Sequence, residues 1–274
     1  MQKIVLPVIL LALGMASAQA DETAGITAAR ELMKAYKNSE ALAVFTNLAA
    51  TSADDKLKSE ALECAAYCAL RQRHNNPAMI PLATELAKQI PLKGESVKCR
   101  MVVLYETGQN GELIKQFKEE NLSGLPAEIA PEVLFMRGRA YASLKKGQEA
   151  EADFKMALER IPKDQKYLMA LAGNYYANLK DTQKALETYE QIIKSADKPH
   201  HAVDATVEMA RILVNSAKYD EALKALESFK DTSALSDYQR VQVLRAFGQV
   251  YAGLGREEEA MASFNQANKP AGTK

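Results

Sequence analysis

One internal spacing recurs through the second half of the chain and limits what it can fold into. Gly138, Gly173, Ala210 and Gly248 are each followed three residues later by a larger side chain, Tyr141, Tyr176, Leu213 and Tyr251. Twelve residues after the small residue comes an alanine (Ala150, Ala185, Ala222, Ala260), and sixteen after it Phe154, Tyr189, Leu226 and Phe264. The distance between copies is looser, at 35, 37 and 38 residues. A rigid interior with variable joints makes each copy one structural unit, repeated in tandem.

The copy itself predicts two helices. Small and apolar residues fall at helical spacing from Val133 to Leu144 and again from Ala150 to Leu158. Lys145-Lys146-Gly147 separates the runs, and Gly147 is expected to supply the backbone freedom for a tight reversal. Antiparallel helices approach closely only where side chains are small, the expected role of Gly138, Gly173 and Ala150. Gly138→Leu is therefore predicted to be costly and Gly147→Ala, in a turn, cheaper. One pair cannot bury both of its apolar faces, so pairs must stack on one another.

The first half carries more degenerate copies. Ala29, Leu32, Ala41, Phe45 and Leu48 keep the internal spacing, which places a unit near 22–55. Met101, Leu104, Leu113 and Phe117 mark another near 94–127. Between them Leu62 to Leu70 reads as a helix, and Pro77 and Pro81 delay its partner to about Ile80. Asn121 to Pro126 marks a turn too short for a flexible linker. The count is about seven helical pairs. The chain has no tryptophan and is rich in good helix formers, and no sustained alternation indicates strands. The expected fold is all-α, in one continuous domain.

These residues resemble the tetratricopeptide repeat family, whose unit of about 34 residues carries a small residue, an aromatic, an alanine, a second aromatic and a closing proline. Residues 131–274 carry the resemblance as four repeats, 131–164, 166–199, 203–236 and 241–274; residues 21–127 are degenerate repeats of the same kind. Leu134, Met169 and Leu244 replace the usual large aromatic near the start of the unit. The resemblance implies a right-handed superhelical solenoid of antiparallel helix pairs. It also implies a non-enzymatic scaffold that binds a polypeptide partner in its concave groove.

The amino terminus bears an export pattern. Lys3 precedes the apolar run Ile4 to Met15 and the small-x-small site Ala18-Gln19-Ala20, so residues 1–20 read as a signal peptide cleaved after Ala20. The run is too short for a comfortable membrane span, and Asp21 stands where a lipoprotein needs cysteine. The mature chain is thus expected to be periplasmic or secreted, with no stable membrane insertion. Lys3 is the one charged side chain of the leader, so the mature formal charge is −1. That excludes the dense positive field that nucleic acid or anionic lipid requires.

Cys64, Cys68 and Cys99 form an odd set for an exported chain. Either Cys99 pairs with Cys64 or Cys68, or all three are buried thiols. No histidine stands near them at zinc-ligand spacing. His200 and His201 read as a surface loop after Lys198-Pro199, and His74 as solvated. Gly108 and Gly111 flank a turn rather than a phosphate loop, and Glu257-Glu258-Glu259 suits a helix start. No acid–base pair, nucleophile, metal or cofactor site is expected.

In the resembled family the first helix of each pair lines the inner wall. One residue past the small position stand Arg139, Asn174, Arg211 and Gln249, with Asn178, Asn215 and Arg245 on the same face. These amides and guanidiniums suit a peptide backbone and carboxylates; the plainer alternative is an ordinary solvated face. Facing solvent, Arg139, Asn174, Arg211 and Asn215 would add little stability. The expected partner is another envelope protein or peptide segment, and homo-oligomers remain open. A cell-wall glycan-binding solenoid, or an accessory subunit of an envelope enzyme, is the alternative. Glycan binding would need Tyr105, Phe135 or Tyr167 as platforms.

Overall fold

The spacing emerges as helices joined by short turns. The computed structural model describes residues 22–91, 96–118, 127–162, 164–196 and 198–269; the expected leader and the turn at Asn121 to Pro126 lie outside these. Helix α1 spans residues 22–34. It is followed by α2 (Asn38–Thr51), α3 (Asp55–Gln72), α4 (Met79–Gln89), α5 (Ser96–Glu106), α6 (Asn110–Gln116), α7 (Ala130–Ser143) and α8 (Gly147–Arg160). Then come α9 (Gln165–Asn174), α10 (Thr182–Ser195), α11 (Pro199–Asn215), α12 (Tyr219–Leu226), α13 (Asp237–Gly253) and α14 (Glu257–Ala267). No strand occurs among the described residues, and the fourteen helices make seven successive pairs. Contacts divide the chain into two units at Ala140 and Tyr141, inside α7.

In the first unit α3 packs on its mate α4 and also on α2 and α5. Alanine makes these approaches possible: Ala29, Ala41, Ala61, Ala65, Ala66 and Ala69 have no exposed surface. Phe45 is fully buried among them, and Met101, Leu104 and Leu113 are also fully buried, Phe117 nearly so. Each such side chain contributes about 1.5–3 kcal/mol by leaving water. Pro81 sits in the first turn of α4, where its missing N–H costs nothing. Cys64, Cys68 and Cys99 are free thiols, so the structure holds no pairing among them. Burial foremost pushes Cys68 up to about 11 and Cys99 up to about 12, which keeps both protonated.

In the second unit α10 packs on α9 and α11, and α11 on α12 and α13; α13 also packs on α12 and α14. Among the described residues each of these pairs packs on the next, the arrangement of a repeat array. The spaced alanines sit at the contacts: Ala150, Ala185 and Ala222 are wholly buried and Ala260 nearly so. Pro199 occupies the first turn of α11. His200 and His201 are therefore helical, not in the loop that the sequence suggested.

Six of the seven pairs close with one device. Tyr36, Gly108, Lys145, Lys180, Ala217 and Gly255 take left-handed backbone, with φ between 55° and 75°. Each lies seven residues after the small position or its counterpart (Ala29, Met101, Gly138, Gly173, Ala210, Gly248). The next N–H usually donates five residues back, as Lys146 does to Tyr141, Lys218 to Leu213 and Arg256 to Tyr251. This is the Schellman closure that satisfies orphan carbonyls at a helix end. In the fifth pair Asp181 reaches Tyr175 instead, one residue further back. A π-helical turn at Tyr175–Leu179 takes up the extra residue.

Two expectations about glycine are overturned. Gly147 is not the pivot of its turn; Lys145 is, and Gly147 opens α8 in a buried position. A Cβ there would lie 2.8 Å from Leu179 Cδ2 and 3.1 Å from Asn178 Cβ, so Gly147→Ala is costly rather than cheap. Gly173, by contrast, has room, its nearest neighbour being the Tyr189 hydroxyl at 4.0 Å. Gly248 does occupy a close helix contact, with the Phe264 ring 2.5 Å from the Cβ it lacks.

Candidate functional site

The seven residues read as one binding face have different fates. Arg139 is half-buried and lies in the first unit; its guanidinium is 4.3 Å from the Tyr105 ring centre and 5.7 Å from that of Phe135. Such cation–π contacts hold a side chain as much as they display it. The contact also covers Tyr105, while Phe135 and Tyr167 are themselves buried. None of the three is an open platform for a sugar.

Asn174 must be removed from the face. It is 2 % exposed, its Nδ2 donates to the Gly147 carbonyl at 2.8 Å, and its Oδ1 accepts from Asn178 Nδ2 at 2.9 Å. A buried amide is tolerated because both of its ends are bonded. Asn178 is half-buried beside it, so this pair pins α9 to the start of α8. The expectation that Asn174 faces solvent and adds little stability is therefore wrong. The missing side chain of Gly147 makes the contact possible, which the sequence spacing alone did not reveal.

Four residues remain exposed, all in the second unit: Arg211 and Asn215 on α11, and Arg245 and Gln249 on α13. Helices α11 and α13 pack together. Arg211 Nε donates to Glu208 Oε2 at 3.0 Å, and its guanidinium lies 5.8 Å from the Tyr176 ring centre. Its pKa is raised first by the hydrogen bond to Glu208. Asn215 Nδ2 donates to the Tyr176 hydroxyl at 3.2 Å. Tyr176, set on the π turn of α9, thus anchors this cluster, a role the repeat pattern had assigned only to packing. Arg245 and Gln249 make no side-chain hydrogen bond or ion pair among the described residues. Together the two packed helices display one unpaired guanidinium, a second shared with a carboxylate, and two amides.

Elsewhere, Glu151 accepts from the Tyr175 hydroxyl at 3.0 Å and pairs with Lys155 at 2.6 Å. Burial alone would raise its carboxyl, but the bonds from Lys155 and Tyr175, with the charges of Lys155 and Lys184, outweigh it and hold the carboxyl below the usual range. No group of three or more histidine, cysteine or acidic side chains that could hold a metal occurs among the described residues. No described helix is long and apolar enough to cross a membrane.

A family model of a tetratricopeptide repeat-like domain matches residues 166–274, and a tetratricopeptide repeat model matches residues 131–164. The chain belongs to the tetratricopeptide repeat family. Among curated tetratricopeptide repeat proteins, 21B of Mus musculus is 29% identical over 146 residues, 51% of this chain and 11% of its own length. Its Homo sapiens counterpart is 28% identical over 145 residues, covering 51% and 10%. The chain therefore spans about a tenth of the relatives' length. A solved tetratricopeptide repeat protein from Parabacteroides merdae aligns over 92% of this chain and 94% of its own, with TM-score 0.62 and 15% identity. The C-terminal part of a repeat-containing protein from Cytophaga hutchinsonii aligns over 88% and 93%, with TM-score 0.55 and 15% identity. At such identities the likeness is one of fold.

Proposed function

We propose that this tetratricopeptide repeat protein is a non-enzymatic scaffold that holds a partner polypeptide on the α11–α13 face of its second unit. The observation that carries the reading is that α13, which displays the exposed, unbonded Arg245 and Gln249, packs on α11, whose exposed Arg211 and Asn215 reach Tyr176 on the π turn after α9. Amides can both donate to and accept from a peptide backbone, and a guanidinium forks onto carboxylates. We place the protein in the cell envelope, with the leader removed after Ala20 and another envelope protein or peptide segment as partner. That location rests on the Lys3, Ile4–Met15 and Ala18-Gln19-Ala20 pattern.

The test compares two variants of the exported protein. Arg211→Ala/Arg245→Ala/Gln249→Ala is expected to melt nearly like the parent, since exposed changes move stability by about 0.5 kcal/mol or less each. Its captured partner should be lost, because truncating a residue buried by a ligand costs about 1–2 kcal/mol or more of binding. Gln191→Ala/Lys224→Ala/Asn265→Ala, on the second helices, should retain the partner. The reverse outcome would move the binding surface to the second helices. Intact-mass measurement of the exported chain checks the leader, since a species still carrying Met1 to Ala20 contradicts a soluble envelope protein.

A further inference from the structure

The first unit carries a different kind of opening. Arg30, Met33, Lys34 and Tyr36, from α1 and its closing turn, line a pocket of about 360 Å³ together with Cys64 and Arg71 from α3. Three of these six side chains are cationic, and no carboxylate lines the pocket. The chain as a whole has no net charge to account for such a concentration. Arg30 is bonded to Glu60, and Lys34 to Glu31 at 2.6 Å, the latter a pair with both side chains largely exposed. Arg71 makes no side-chain hydrogen bond or ion pair among the described residues. Burial raises the pKa of the Cys64 thiol on the same wall; Arg30 and Arg71 oppose that rise and Glu63 adds to it. Beside them Tyr36, 84% exposed on left-handed backbone, presents its ring to solvent.

We propose that this pocket receives glutamate or aspartate side chains of an acidic polypeptide segment, with Arg71 as the principal anchor. A guanidinium binds a carboxylate through two parallel hydrogen bonds, and an exposed pair such as Lys34–Glu31 is weak enough to be exchanged for a ligand carboxylate. Met33 and the Tyr36 ring offer apolar surface to the stem of an acidic side chain and to its neighbours. Nucleic acid is the poorer fit, since its binding draws on many phosphate contacts and three cations, two already engaged, supply few. The site belongs to the first unit and does not depend on the α11–α13 reading.

The probe is a fluorescently labelled ten-residue glutamate peptide, titrated by anisotropy into the full chain, with a glutamine peptide of equal length as comparator. The glutamate peptide should bind saturably and weaken as salt rises; the glutamine peptide should not bind. Arg71→Gln should reduce affinity about tenfold or more with an unchanged circular dichroism spectrum, and Arg71→Lys should restore part of it. Lys224→Gln, on α12, should leave affinity unchanged. An unchanged affinity in Arg71→Gln would overturn the proposal, as would absence of saturable binding. Equal competition by inorganic phosphate or a single-stranded oligonucleotide would also overturn it, by showing a general anion site. Because the α11–α13 variant keeps every pocket residue, failure here and failure there are read separately.

Discussion

The joint between α8 and α9 and the joint between α12 and α13 solve one packing problem with opposite residues. In each, the opening residue of a second helix meets the end of the next first helix. At the earlier joint the glycine is on the second helix: Gly147 faces Asn178 and Leu179. At the later joint it is on the first helix: Gly253 faces the Tyr219 ring, whose Cε1 would stand 2.2 Å from an added Cβ. Between them, Thr182 opens α10 and Asn215 occupies the matching place on α11, where neither is glycine and Asn215 stays exposed. Close approach at a joint thus needs one partner without a side chain, and either one will serve. Which partner is glycine decides what surface is left: a buried and a half-buried amide at one joint, and a tyrosine ring against backbone at the other.

The largest expected effect breaks these joints. Gly147→Ala and Gly253→Ala should each destabilise by about 1–3 kcal/mol, the ordinary cost of overpacking, read as a lower urea midpoint. Removing the opposing ring should rescue only the second: Gly253→Ala combined with Tyr219→Ala should cost less than the sum of the two changes, with a coupling of about 1 kcal/mol. Strict additivity would mean that the ring turns aside freely and that Gly253 is no close contact.

A middle-sized effect separates buried from exposed asparagine. Asn174→Ala removes the bond to the Gly147 carbonyl and should cost about 1–3 kcal/mol. Asn215→Ala, at an exposed position, should change stability by about 0.5 kcal/mol or less. Equal midpoints for the two variants would return Asn174 to the surface.

The smallest effect has the opposite sign. Gly173→Ala meets only the Tyr189 hydroxyl at ordinary distance, and alanine is better than glycine inside a helix by about 0.5–1 kcal/mol. A rise of that size in unfolding free energy is expected. A loss would show that α9 approaches its mate more closely than this structure has it.

The pair count, the small-alanine spacing and the buried aromatic positions were legible because each is a local matter of helical phase. Ala150, Ala185 and Ala222 are buried as their spacing required, and so are Met101, Leu104, Leu113 and Phe117 in the degenerate half. The left-handed closing residue could also have been found, since it keeps a constant offset from the small position. Its chemistry hid it, because Tyr36, Lys145, Lys180 and Ala217 are not glycines. The exposure of the residues on the proposed face was only partly legible. Arg211, Asn215, Arg245 and Gln249 are exposed as read, whereas Asn174, in the same register as Arg211, is buried. Arg139 lies over an aromatic ring in the first unit.

What the residues alone determined is therefore the unit: two helices, their phase, and the small positions at which a mate can approach. Those depend on side chains three to sixteen places apart, within one pair. Tertiary structure alone decided the joints, the π turn at Tyr175–Leu179 and the separation of displayed from buried amides. Those depend on residues about thirty places apart, such as Gly147 with Asn178 and Tyr219 with Gly253. The physical reason is that helical phase belongs to one segment, whereas the room for a side chain belongs to two, and the second becomes known only when the pairs stack.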